Sequence, residues 1–364
     1  MTDSELRNVT IVVPTKNRLY YVTRLLRYYV DMNFTGNLLI IDSSDDDIAK
    51  NIRKYINNID KENFQYIFSL GLPTMVIKEN LSYIKTKYVS FLGDDDYIIP
   101  NGILSSIDYL KVNLDVVACR GEGLTITDPS ISSEYISRFS CVDRLENNSR
   151  DRVIEHFKNY STPFFHVCRS EVFIKAFSNA PSISEMDEGY DRLIGDELLV
   201  SALMLVYGKF ASIEGLHLIR TNNVERVELR NSWYDDSQGK EMAIQDFTKK
   251  ITEAIVNEEK ISFEAAEKVV LRIQEYPIFT TKYNSPFKEN LNSFFRPILQ
   301  FLSLLEAYRN LKNSFNIIKR KFLSEIFETK SKRLGLNNML NIDNFYHKEF
   351  MPIYKSLTNH DLKK

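Results

Sequence analysis

Three short runs, VTIVVP (9–14), NLLIID (37–42) and YVSFL (88–92), are rich in branched apolar residues and closed by Pro, Asp or Gly. Runs that do not alternate with polar residues suit strands buried on both faces, the situation in a parallel sheet covered by helices on each side. The segments between them supply such helices. Tyr21, Leu25, Leu26 and Tyr29 recur at helical spacing over 20–32, and SSDDD offers N-cap chemistry for a helix over 46–57. Further helices are predicted near 75–86 and 101–112, with FQYIFS (64–69) and DVVAC (115–119) as additional strands. Strands alternating with helices predict an α/β fold: a Rossmann-like, mostly parallel sheet flanked by helices.

In open sheets of this kind ligands gather beyond the carboxyl ends of the strands. The residues there are Pro14, Thr15, Lys16, Asn17 and Arg18; then Asp42, Ser43 and Ser44; then Gly93, Asp94, Asp95 and Asp96. Three successive carboxylates repel one another unless something positive meets them. Either FLGDDDY is a solvated turn ahead of the helix at Pro100, or Asp94, Asp95 and Asp96 present carboxylates to Mg²⁺ or Mn²⁺ that joins them to substrate phosphates. VVPTKNR lacks glycine, so it is neither a dinucleotide fingerprint nor a P-loop. Its Lys16 and Arg18 serve a phosphate or base, or simply a surface turn. Asp42 bonds a base or ribose, or caps the next helix with Ser43 and Ser44.

Beyond residue 120 the pattern mixes. RDRVIEHFKNY (150–160) reads as a helix, PFFHVC (163–168) as a strand, and a helix follows from about 170. IGDELLVSALMLVYGKF reads as a helix opening at Gly195 or Asp196 and ended by Gly208, and HLIRTNN (217–223) as a late strand. Asp196 and Glu197 either favour the helix N-terminus electrostatically or include a general base; the residues leave both open. His166 in its apolar run reads as a packed histidine. The five histidines show no zinc spacing, and no nucleophile motif is present. Cys119, Cys141 and Cys168 are scattered, as expected of reduced thiols. A net charge of −2 argues against nucleic acid as a partner. MTDSELRNVT lacks signal-peptide layout, and no run reaches membrane-span length, so a cytoplasmic location is expected. From about 240 onward only helices are predicted. Residues 282–364 carry 15 Lys and Arg against 7 Asp and Glu, a basic tail on an acidic body. The expected division is a catalytic region, 1–235, and a helical C-terminal region, 236–364. The segment 291–322 mixes large apolar residues with Arg and Lys. It suits peripheral contact with an anionic membrane face, or packing on the catalytic region or a second subunit as a homodimer.

VTIVVPTKNR, LLIIDSSDDD, YVSFLGDDDYIIPNGI and IGDELLVSALMLVYGKF, in this order, resemble glycosyltransferase family 2 and its GT-A fold over roughly residues 8–235. The resemblance implies an inverting, metal-dependent glycosyltransferase. It would move a sugar from a nucleoside-diphosphate sugar, a UDP-sugar first, to a hydroxyl of a glycan or lipid-linked acceptor in surface polysaccharide synthesis. Pro14, Thr15, Asn17 and Arg18 match the family's first nucleotide-binding turn, and Asp42 its base- or ribose-contacting carboxylate. Asp94, Asp95 and Asp96 match the metal-binding DxD region. Asp196 and Glu197 fall where the acceptor hydroxyl is deprotonated, and Arg220 and Asn222 where the chain closes over the diphosphate. Two departures stand out. Gly93 occupies the first position of the usual Asp-x-Asp-Asp, so Asp95 matches the metal ligand with Asp94 or Asp96 beside it. The base pair is reversed, Asp-Glu for Glu-Asp, which keeps both residues as candidates with Asp196 preferred. A nucleotidyltransferase on a related fold, or an inactive GT-A scaffold, are the alternative readings.

Overall fold

The computed structural model describes residues 4–127, 135–181, 193–222, 237–280 and 333–358. The runs at 9, 37 and 64 form β1 (Val9–Thr15), β2 (Asn37–Asp42) and β3 (Phe64–Phe68), and the run at 88 forms β4 (Tyr88–Phe91). They lie side by side in the order β3-β2-β1-β4, all parallel. Val9, Ile11, Val12, Val13, Leu38, Leu39, Ile40 and Ile41 are all buried, so residues of both parities are covered, as the absence of alternation predicts. One face packs against α1 (Leu19–Asp31) through Val22, Leu25, Leu26 and Tyr29. The other helices of this half are α2 (Asp46–Ile59), α3 (Pro73–Glu79) and α4 (Pro100–Val112). The helix expected over 75–86 breaks after Glu79 into a separate 3-10 turn, Leu81–Tyr83.

Beyond β4 the sheet continues with antiparallel pairs. β8 (Val167–Arg169) joins β4 to β6 (Val116–Thr127), and β7 (Tyr135–Phe139) and β10 (Arg333–Gly335) follow. β9 (Lys209–Asn222) runs parallel to β6 and also takes up the two-residue β5 (Tyr97–Ile98) in antiparallel pairing. α5 (Ser149–Lys158), α6 (Ser170–Ser178) and α7 (Leu199–Tyr207) cover this half, and α7 is preceded by one π-helical turn, Leu193–Leu198.

Two further expectations are corrected. The strand predicted over 163–168 starts only at Val167, because Pro163 to His166 form a turn in which the His166 N–H donates to the Pro163 carbonyl at 3.2 Å. The C-terminal part is not helical throughout: between the helices Phe263–Gln274 and His347–Thr358, Arg333–Gly335 adds a sheet strand. Met1–Tyr276 and Arg333–Lys364 form one compact unit, and Pro277–Lys332 another, of which one helical turn, Pro277–Thr280, is described. The segment 291–322, expected to meet a membrane face or a second subunit, lies outside the described residues, as does Asn223 of HLIRTNN.

Candidate active site

Strand register places the candidate residues. Thr15 pairs with Asp42, so the ends of β1 and β2 are level. Val12 pairs with Phe91, so Asp94, three residues past Phe91, comes level with Thr15, three past Val12. The Thr15 hydroxyl accordingly donates to Asp94 Oδ2 at 2.7 Å. After a turn closed by the Asp96 N–H on the Gly93 carbonyl, Tyr97 pairs with Ile219 of β9. That pairing sets the acidic run against the end of β9. Asp96 Oδ1 accepts from the Thr221 N–H at 2.9 Å and Oδ2 from Arg220 Nε at 3.3 Å, while the Thr221 hydroxyl donates to the Asp95 carbonyl at 2.7 Å.

The cations that compensate the carboxylates are thus in the chain itself. Arg18 bridges two of them, one guanidinium nitrogen 3.1 Å from Asp94 and the other 2.9 Å from Asp95. Its planar group also lies 4.2 Å from the centre of the Tyr21 ring. Asp94, Asp95 and Asp96 are 3%, 4% and 0% exposed, so bulk water does little to screen them and the arginines must. Burial pushes the Asp94 carboxyl well above the ordinary carboxylate range; Arg18 opposes this, and Asp95 adds to it. Burial works against the charge on Arg18, but Asp94 and Asp95 outweigh it and raise its pKa. Beneath the loop, Arg24 is wholly buried among the rings of Tyr20, Tyr21 and Tyr97 and donates to the Asp95 carbonyl at 3.4 Å.

Other candidates hold the rim. Asn17 has a left-handed backbone, φ 56°, and its N–H donates to Ser44 Oγ at 2.7 Å. Its side-chain amide exchanges hydrogen bonds with Asp45, which locks the β1 and β2 loops together. Asp42 is fully buried, accepting from the Ser44 N–H and from the Tyr66 hydroxyl, each at 2.9 Å. Pro14 is half-buried within β1, Lys16 is exposed, and Asn222 is exposed at the end of β9. A Cβ at Gly93 would lie 3.2 Å from Asp95 Oδ1 and 3.6 Å from Asp96 Oδ2, so this position faces the carboxylates.

Asp196 and Glu197 sit in the π-helical turn before α7, both partly exposed. The Tyr160 hydroxyl, just past α5, donates to Glu197 Oε1 at 2.7 Å. Burial, with Glu197 beside it, keeps that phenol neutral. Arg24, Tyr160 and Thr221 were not among the sequence candidates. Thr221 acts on Asp96 through its backbone N–H, which no residue type signals.

No protein-family model matches the chain, and no curated protein does. Among solved structures the chain is similar to S. aureus TarS, with TM-score 0.46 and 12% identity over 76% of this chain and 44% of that one. It therefore spans less than half the length of that TarS chain. It is similar to TarS residues 1–349, with TM-score 0.47 and 13% identity over 82% and 81% of the two chains. It is also similar to the mannosyltransferase PcManGT from Pyrobaculum calidifontis in complex with GDP-Man and Mn²⁺, with TM-score 0.40 and 13% identity over 89% and 88%.

Among the described residues no group of three or more His, Cys, Asp or Glu side chains is arranged to hold a metal ion. Two carboxylates, Asp94 and Asp95, do share one cation, the Arg18 guanidinium. Two carboxylates completed by phosphate oxygens and water are an ordinary donor set for Mg²⁺ or Mn²⁺, so these residues fit such an ion when a diphosphate accompanies it.

Proposed function

We propose that the chain is a GT-A glycosyltransferase that transfers a sugar, with inversion, from a nucleoside-diphosphate sugar to an acceptor hydroxyl. The observation that carries this reading is the joining of three strand ends, those of β1, β4 and β9, in one buried cluster of three carboxylates and two arginines. Such a cluster lies where open α/β sheets bind ligands, and its charges suit a diphosphate. Asp95 with Asp94 would hold Mg²⁺ or Mn²⁺, while Asp96 fixes β9. The ion, when bound, supplies Lewis-acid stabilisation of the departing diphosphate. Arg18 and Arg220 add donors to the phosphate oxygens, and Pro14, Thr15, Asn17, Asp42 and Asn222 shape the nucleoside side. Asp196 takes the proton of the acceptor hydroxyl as that oxygen forms its bond to the anomeric carbon and the bond to the diphosphate breaks on the opposite face. Glu197, engaged by Tyr160, holds the turn that presents Asp196. A positioned base of this kind contributes roughly 10²–10⁴-fold in rate.

The donor is proposed to be a UDP-sugar carrying a hexose or N-acetylhexosamine, and the acceptor a glycan or lipid-linked glycan of a surface polysaccharide. Residues 236–364 are proposed to serve acceptor, dimer or membrane-surface contacts. The test is release of nucleoside diphosphate from a panel of UDP- and GDP-sugars with Mn²⁺. Metal-dependent release by wild type, lost in Asp95→Ala, supports the reading; no release from any donor favours an inactive scaffold.

A further inference from the structure

Arg18 is the cation that meets both Asp94 and Asp95 in this structure. Its guanidinium lies 3.1 Å from Asp94 and 2.9 Å from Asp95, carboxylates that are 3% and 4% exposed. Two buried carboxylates left without a cation are strongly unfavourable, so the pair is either closed by Arg18 or served by another positive group. The third carboxylate is no substitute, because both oxygens of Asp96 are engaged by β9, through the Thr221 N–H and Arg220 Nε. Among the described residues of this loop, the carboxylates left for an ion are therefore the two that Arg18 holds. Those two are too few without phosphate oxygens or water to complete the shell. A diphosphate solves both problems at once. It brings oxygens to the ion, and it offers the planar guanidinium an anion that accepts two parallel hydrogen bonds. Arg18 is placed for such a transfer: its side chain is 21% exposed, on the loop after β1, with the Tyr21 ring at 4.2 Å against its face.

We propose that Arg18 is the resident counter-cation of the Asp94–Asp95 pair and gates metal entry, so that ion and nucleoside diphosphate load together. The proposal rests on the metal–diphosphate reading of this site given above. It makes Arg18 a competitor of the metal in the free protein and a phosphate ligand in the loaded one.

The test is a Mn²⁺ titration of the full chain, followed by the electron paramagnetic resonance signal of the free aquo ion, without nucleotide and then with UDP or GDP. Wild type, Arg18→Met, Arg18→Lys and Arg18→Met/Asp95→Asn are compared. Without nucleotide, Arg18→Met is expected to bind Mn²⁺ roughly tenfold or more tightly than wild type, the size of an ordinary coupling between competing ligands. Arg18→Lys should remain close to wild type, and the double variant should lose the gain. UDP or GDP should raise Mn²⁺ affinity more in wild type than in Arg18→Met. Where Arg18→Met does not fold, Arg18→Gln is read in its place. Equal or weaker Mn²⁺ binding by the folded variant, with wild type still binding Mn²⁺ and nucleotide through Asp95, overturns the gate and leaves the site reading standing. No Mn²⁺ binding by any folded form, with or without nucleotide, overturns the site reading and the gate with it.

Discussion

Thr15 shows what one hydroxyl does here. It donates to a carboxylate that is almost fully enclosed, at 2.7 Å. Thr15→Val keeps the shape and removes the donor, and leaving a buried charged acceptor short of a partner costs about 1–3 kcal/mol. Urea denaturation should show that loss, and Thr15→Ser should recover most of it; an unchanged midpoint would mean that Asp94 is satisfied by other groups. Tyr160 makes a prediction about turnover. Tyr160→Phe frees Glu197 and loosens the turn bearing Asp196, so kcat should fall about tenfold or more, the scale of one hydrogen bond to a charged group. The donor KM should hold, because no donor contact is removed. A raised donor KM with unchanged kcat would detach Tyr160 from the acceptor side. The parts of this site legible in the sequence were those announced by residue type at a strand end: Thr15, Arg18 and the three aspartates. Thr221 contributes a backbone N–H and Tyr160 reaches Glu197 across 37 residues of sequence, and neither has a local pattern.

Among the elements, β5 matters more than its two residues suggest. It is too short for any periodicity to reveal, yet its pairing with β9 brings Arg220 and Thr221 against the acidic run. β9 in turn is held by β6, where a Cβ at Gly121 would lie 2.4 Å from the Gly215 carbonyl oxygen. Gly121→Ala must therefore push the two strands apart. The expected cost is about 1–3 kcal/mol, as for other overpacked sites, together with weaker nucleotide binding. Normal stability and binding in that variant would show that β6–β9 spacing is not what sets the site. The long apolar runs β1 and β2 were legible because burial on both faces removes ambiguity about their period. PFFHVC was misread as a strand for the same reason: burial alone produces an apolar run, and its first four residues are buried in a turn.

For the molecule as a whole, three interior histidines lower stability on the acid side, against the opposite pull of the raised Asp94 carboxyl. Burial lowers His156 to about 3, with Arg144 adding to it, and lowers His217 to about 4, with Arg120 adding; His166 moves in the same direction for the same reasons. Each stays neutral in the fold while the unfolded chain takes up its proton near pH 6.5, so their contribution is complete above about pH 6.5 and is lost as pH falls toward 4. Denaturation at stepped pH should show stability falling over this window. His156→Phe should reduce the slope by up to about 1.4 kcal/mol per pH unit, and an unaltered slope would place the acid sensitivity elsewhere. The alternation of strands and helices made the α/β architecture legible, whereas the antiparallel half of the sheet depends on pairings distant in sequence.

Asp94 and Asp95 are proposed to hold the metal of a metal–diphosphate site, with Asp96 tied to β9 beside them. Calorimetric titration of UDP, GDP, TDP and CDP into the protein, with Mn²⁺ and with chelator, in wild type and Asp95→Ala, decides whether that site exists. One nucleotide should bind only when metal is present, and Asp95→Ala should abolish this binding. Binding indifferent to both metal and Asp95, or no binding at all, would rule the site out and leave FLGDDDY as a buried, arginine-compensated turn.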